Sequence, residues 1–145
     1  MEFILVGGAA AIAHGSARLT FDVDVVYRRT PENIARLVAA LAAHRPYLRG
    51  APAGLPFVWD VETIRRGLNF TLTTDLGAID LFGEIAGGGT YDELRDHTGK
   101  ITVFGADCLC VTIEKLIAVK RAAGRPKDLE AISELESLRE ERDAL

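Results

Sequence analysis

The sequence predicts an α/β (α+β) fold, a mixed β-sheet flanked by helices, and three observations carry that prediction. Short apolar runs of strand length recur through the first two thirds of the chain. Alanine- and leucine-rich runs with helix-start residues lie between and after them. The two kinds of segment are intermixed rather than strictly alternating, which favours a mixed sheet over a purely parallel one. The 145 residues make most simply one domain, with a core over 3–111 and C-terminal helices over 112–145. A content of 48% hydrophobic and 26% charged residues is ordinary for a folded protein and argues against disorder. The net charge of -4 offers no bulk attraction to nucleic acid. Any polyanionic substrate must then be met locally, by clustered Arg and Lys or by bound metal.

Taken in order, residues 3–7 (FILVG) predict a buried strand, followed by a short helix over Ala9–His14 that Gly15 can close. Phe21–Tyr27 alternates well enough for a second strand. Thr30-Pro31-Glu32-Asn33 is a helix start, with Thr30 as cap and Pro31 in the first turn. The Pro-, Gly- and Ala-rich stretch 45–56 predicts a loop. Residues 69–74 and 78–82 predict strands joined by the short connection Asp75-Leu76-Gly77. Gly87-Gly88-Gly89 predicts a flexible break before a short helix around Tyr91–Asp96. Two further strands are expected at 101–104 and 108–111. Thr112 begins a helix ended by Gly124, and Pro126 starts a last amphipathic helix with Leu129, Ile132, Leu135 and Leu138 on one face.

The apolar start FILVGGAAAIA imitates a signal segment. However, Glu2 replaces the basic residue such segments carry, and a glycine pair interrupts the run. It is also short of the roughly 20 residues that span a bilayer. The expectation is a cytoplasmic protein without a membrane partner. Cys108 and Cys110 project from one side of a strand, and C-x-C without a second pair reads as two buried thiols rather than zinc ligands.

The chemistry begins with Asp22 and Asp24. Two apart on a strand, they share a face while Val23 and Val25 face the core. Two bare carboxylates so close repel one another and resist burial, and a divalent cation removes both difficulties. The alternative is a solvated edge strand. Gly7-Gly8 sits where a strand meets a helix N-terminus, a place that favours an anion such as a phosphate, although a tight turn explains a glycine pair as well. Asp80 is the lone polar residue of Ala78-Ile79-Asp80-Leu81-Phe82. A third ligand completing the site of Asp22 and Asp24 accounts for it, with a water-facing edge position as the alternative. Arg18 lies near the glycines and suits either phosphate or a structural carboxylate. Lys120, Arg121, Arg125 and Lys127 form the main basic cluster. A solvated face is preferred for Arg121 and Lys127, and Asp128 is expected to pair with Arg125 or cap the last helix. His14 is read as a capping or packing residue.

The pattern VGGAAAIAHGSARLTFDVDVV, the lone aspartate of AIDLF and the segment IAVKRAAGRPKDLEAI together resemble the nucleotidyltransferase superfamily typified by DNA polymerase beta. Within it they are similar to the small bacterial branch of AbiEii-type toxins and minimal nucleotidyltransferases. The resemblance implies a nucleotidyltransferase-like fold with a magnesium-dependent, nucleotide-binding transferase site. It implies that Gly7 and Gly8 hold the triphosphate, and that Asp22, Asp24 and Asp80 bind two Mg²⁺ ions, with Mn²⁺ as a substitute. It further implies that Asp80 assists deprotonation of the attacking hydroxyl and that Lys120 contacts the nucleotide. Many members carry Gly-Ser where this chain has Gly7-Gly8, and many carry a helix before the first strand.

The expected function is transfer of a nucleoside monophosphate from an NTP, ATP or CTP, to an acceptor hydroxyl, in an RNA such as tRNA or in a protein, within a toxin–antitoxin pair. A small-molecule hydroxyl is equally compatible with the residues. The competing readings are an inactive module that binds a nucleotide or a cognate toxin or antitoxin, and a metal-dependent phosphohydrolase with water as nucleophile.

Overall fold

The computed structural model describes residues 1–103 and 105–145. In chain order, β1 (Phe3–Val6) runs directly into α1 (Gly7–Ala13), and β2 (Asp22–Tyr27) precedes α2 (Pro31–Leu41). After a single 3-10 turn come β3 (Tyr47–Leu48), α3 (Val61–Arg66), β4 (Phe70–Thr74) and β5 (Gly77–Phe82). A two-residue pair, β6 (Glu84–Ile85) with β7 (Gly89–Thr90), leads to α4 (Tyr91–Leu94). The strands β8 (Thr98–Val103) and β9 (Ala106–Val111) are followed by α5 (Ile113–Ala123) and α6 (Pro126–Asp143).

Seven strands form one mixed sheet in the order β3-β4-β5-β2-β1-β9-β8. The β2–β5 and β1–β9 pairs are parallel, and the rest are antiparallel. Side chains alternate between the faces, and each face has its own core. On one, Ile4, Val6, Val26 and Cys110 pack with Ala10 and Ala11 of α1, Leu116 and Ile117 of α5, and Ile132 and Leu135 of α6. On the other, Val25, Tyr27, Leu72 and Leu81 pack with Ile34 and Leu37 of α2 and with Ile64 of α3. Asp22 and Asp24 share the first face with Val26, so they lie on the side covered by α1, α5 and α6.

The helix boundaries follow local chemistry. The Thr30 hydroxyl accepts from Asn33 N at 3.2 Å, and the Thr112 hydroxyl accepts from Lys115 N at 3.2 Å. Pro31 and Pro126 occupy first turns, and Gly124 ends α5 at φ 67° in the left-handed region. His14 follows α1, and its Nε2 lies 2.7 Å from Val111 O, a packing role as expected. No helix among the described residues is long and apolar enough to cross a membrane.

Five local expectations need correction. The stretch 45–56 is not all loop, because Tyr47 and Leu48 pair with Thr73 and Leu72 as the sheet edge. The helix α3 has no counterpart in the sequence reading, although Asp60 caps it by accepting from Thr63 N at 2.8 Å. The glycine run joins a small hairpin, with Gly87 at φ 77° and Gly89 at φ 78°. Val23, expected in the core, is 43% exposed because β2 begins beyond the cover of α2. The strand expected at 101–104 starts at Thr98, and Phe104 lies outside the described residues.

Candidate nucleotide and cation site

Parallel pairing of β2 and β5 sets Asp24 directly beside Asp80 in register. Asp22 precedes Asp24 by two residues on the same face. The three aspartates singled out from the sequence are therefore brought together by two adjacent central strands. Burial, followed by the neighbouring Asp80 carboxylate, pushes the Asp24 carboxyl up to about 6, with Asp22 adding to the rise and Lys120 opposing it. Asp24 Oδ1 is buried and has no hydrogen-bond partner. An orphaned anionic oxygen beside two further carboxylates fits a hard divalent cation, which takes oxygen ligands. Among the described residues no three acidic, His or Cys side chains are already drawn together as a ligand cluster.

Arg49 lies against two of the three carboxylates. Its Nη2 donates to Asp80 Oδ1 at 2.7 Å and to Leu72 O at 2.8 Å, and its Nη1 lies 3.7 Å from Asp22 Oδ2. Arg49 N also donates to Thr71 O at 2.9 Å, which continues the β3–β4 pairing and fixes the arginine beside β5. Sequence reading missed this residue inside a stretch assigned to loop.

The glycine pair is tied to the aspartates by contact. A Cβ on Gly7 would lie 2.1 Å from Asp24 Oδ2, and Gly7 has φ +62°. A Cβ on Gly8 would lie 2.9 Å from Thr20 Oγ1. Thr20 Oγ1 in turn donates to Asp22 O at 3.1 Å. Glycine is needed here so that the backbone starting α1 can lie against the Asp24 carboxylate.

A cleft of about 270 Å³ opens above this contact and is lined by Gly7, Gly8, Arg18, Asp22, Asp24 and Lys120. Six of the seven residues singled out for the site thus border one space, and Asp80 adjoins it through Asp24. Lys120 is largely buried, and burial lowers its pKa, opposed chiefly by Asp128. Its Nζ sits 4.0 Å from Asp128 Oδ1. Asp128 is 2% exposed and is held by Arg125 Nε at 2.6 Å, which lowers its carboxyl below the usual range. The expected Asp128–Arg125 pair is present. Arg18 sits on the cleft rim and faces Glu130 and Glu134 of α6 at 3.8 and 3.6 Å. Arg121 pairs with Glu136 at 2.8 Å away from the cleft.

A second cavity of about 310 Å³ meets the first at Gly7, Asp24, Lys120, Arg125 and Asp128. Its walls include Val6, Phe82, Ile85, Leu116 and Val119, with Asn69 and Glu84 at the polar edge. A polar cleft with an ammonium and a more apolar cavity therefore converge on the Asp24 carboxylate.

No protein-family profile matches the chain, and no curated protein sequence matches it. Among solved structures, the chain is similar to the lincosamide antibiotic adenylyltransferase LnuA in its lincomycin-bound form. The identity is 13%, the TM-score is 0.58, and the match covers 94% of this chain and 86% of that one. At this identity the likeness is one of fold: the mixed sheet and its flanking helices are arranged as in a nucleotidyltransferase structure.

Proposed function

We propose that this chain is a cation-dependent nucleotidyltransferase that moves a nucleoside monophosphate from an NTP to the hydroxyl of a small molecule. The observation that carries the reading is the in-register pair Asp24–Asp80 with its orphaned Asp24 Oδ1, set at the meeting point of the Lys120-lined cleft and the apolar cavity. The superfamily resemblance and the LnuA-like fold support it.

Lys120 would meet the triphosphate, with Gly7 and Gly8 allowing close approach of its oxygens along the backbone. The apolar cavity suits a nucleoside, whose base stacks on or packs against side chains such as Phe82. Asp22 and Asp24 would hold a divalent cation, Mg²⁺ or Mn²⁺, which when bound screens phosphate charge and polarises the reacting phosphoryl group. The acceptor oxygen forms a bond to the α-phosphorus while the bond from that phosphorus to the bridging oxygen breaks, and pyrophosphate leaves. Asp80, held by Arg49 through Oδ1, offers its other oxygen to the acceptor's proton.

A small acceptor is favoured over an RNA by charge. Arg18, Arg28, Arg49, Arg65, Arg66, Arg121, Arg125 and Arg142 are all engaged in ion pairs, and the net charge is -4. With these arginines neutralised by carboxylates and the chain acidic as a whole, a small acceptor is a better fit than an extended phosphate backbone.

The test supplies each α-³²P-labelled NTP with Mg²⁺ and three classes of acceptor: hydroxylated small molecules including lincomycin, tRNA, and a cell lysate. The expected result is α-label on a small molecule with release of pyrophosphate, abolished in Asp24→Asn. Release of only inorganic phosphate from γ-labelled NTP would establish a phosphohydrolase instead. Label on tRNA or on a protein would assign the acceptor to those classes, and a partner encoded alongside would then point to a toxin–antitoxin role.

A further inference from the structure

We propose that the site takes one divalent cation, between Asp22 and Asp24, and that the Arg49 guanidinium provides the second positive charge, beside Asp80. The inference rests on the nucleotidyl-transfer reading and departs from the two ions implied by the superfamily resemblance.

Arg49 is built into the sheet. Its backbone is bonded to β4 at Thr71 O, 2.9 Å away. Its Nη2 reaches Leu72 O of β4 at 2.8 Å, Ile79 O of β5 at 3.4 Å and Asp80 Oδ1 at 2.7 Å. Nη1 points towards Asp22 Oδ2 at 3.7 Å. The guanidinium therefore lies across the sheet surface, from its edge strand towards β2, on the side of Asp80 away from α5. Its side chain is 27% exposed and that of Asp80 is 17% exposed.

A second cation bound to Asp80 would have two ways to accommodate this arginine. It could share Asp80 with a guanidinium already 2.7 Å from Oδ1, which places two positive groups in contact. It could instead expel the guanidinium, leaving the Leu72 carbonyl and a largely buried cation without their partners. Both are unfavourable, because a buried charge stripped of its counter-ion is costly. On the other side of the carboxylates the obstacle is weaker: Asp24 Oδ1 is buried without a partner, and Asp22, whose Oδ2 lies 3.7 Å from Arg49 Nη1, is 45% exposed. Two carboxylate ligands and the phosphate oxygens of a nucleotide give one cation a sufficient shell, as Mg²⁺ is commonly bound by one or two carboxylates plus substrate phosphates.

Native mass spectrometry of the folded protein with an equimolar α,β-methylene NTP analogue and increasing Mn²⁺ counts the ions directly. One Mn²⁺ per chain is expected for the wild type and for Arg49→Lys, and two for Arg49→Met, with the second binding within about tenfold of the first. Two ions in the wild type, or one in an Arg49→Met protein that melts cooperatively, would overturn the inference while leaving nucleotidyl transfer standing. A wild type that binds the analogue and no Mn²⁺ would overturn both. Should Arg49→Met fail to fold, the wild-type count and Arg49→Lys decide the matter.

Discussion

Gly7 and Asp24 are in van der Waals contact across the start of α1, so close that a Cβ on Gly7 would fall 2.1 Å from Asp24 Oδ2. The two best-marked features of the sequence are thus halves of one contact. Gly7→Ala must displace Asp24 and also adopt φ near +62°, which is unfavourable for an L-residue by about 1–2 kcal/mol before any clash is counted. A total loss of about 2–4 kcal/mol is expected, measured by urea denaturation, together with loss of Mn²⁺ binding. Gly8→Ala should be milder: its Cβ would lie 2.9 Å from Thr20 Oγ1 and 3.0 Å from Thr20 Cβ, so Thr20 must shift slightly, and Gly8 does not occupy the left-handed region.

Lys120 and Arg18 both border the cleft but are held differently. Lys120 is largely buried and 4.0 Å from its nearest carboxylate, whereas Arg18 lies between Glu130 and Glu134 on the rim. Lys120→Met should weaken NTP binding about 10- to 100-fold, the loss of a charge-assisted contact of about 1.5–3 kcal/mol. Arg18→Ala should cost less than about 3-fold. Isothermal titration calorimetry with a non-hydrolysable analogue checks both, and equal losses would show that the rim arginine shares the phosphate.

Asp24 carries a pH signature. Its carboxyl is pushed up to about 6 by burial and by Asp80, above its unfolded value near 4. Between those values the folded protein binds more protons than the unfolded chain, so this group makes stability fall as pH rises through about 4 to 6. In cation-free buffer the Tm of the wild type should drop across that window relative to Asp24→Asn and remain lower at pH 8. Adding Mg²⁺ should narrow the gap. Parallel melting curves for the two proteins from pH 4 to 8 would contradict the placement of Asp24.

Away from the site, Asn33 acts as a buried polar pin. It is 1% exposed, its Oδ1 accepts from Glu2 N at 2.6 Å, and its Nδ2 donates to Glu2 O at 2.9 Å and Arg28 O at 2.8 Å. Asn33→Ala would leave Glu2 N and Arg28 O without these partners, while Glu2 O keeps its bond from Arg28 N at 3.2 Å. A loss of about 2–4 kcal/mol is expected from chemical denaturation, with nucleotide affinity unchanged.

Much of this arrangement is legible in the sequence where one local rule acts alone. Thr30, Thr112 and the two helix-starting prolines mark their helices, and the two-residue spacing of Asp22 and Asp24 sets their shared face. The lone Asp80 is conspicuous because its neighbours are all apolar. What escapes reading depends on tertiary contact. β3 is two residues long, too short for any periodicity, and exists because β4 offers it an edge. Arg49 has no local pattern, and the only hint of it is arithmetic: three neighbouring carboxylates need a counter-ion. The glycine pair was legible as a special backbone position, but its partner, Asp24, is fixed only once β1 and β2 pair antiparallel with Val6 opposite Asp24.

The most direct measurement is a crystal structure of the protein with Mn²⁺ and a non-hydrolysable NTP, with the metal located by anomalous scattering. The expected result is a peak bound by Asp22 and Asp24, phosphate oxygens against Gly7, Gly8 and Lys120, and the α-phosphorus facing Asp80. A nucleotide bound elsewhere, with no metal at these carboxylates, would contradict it.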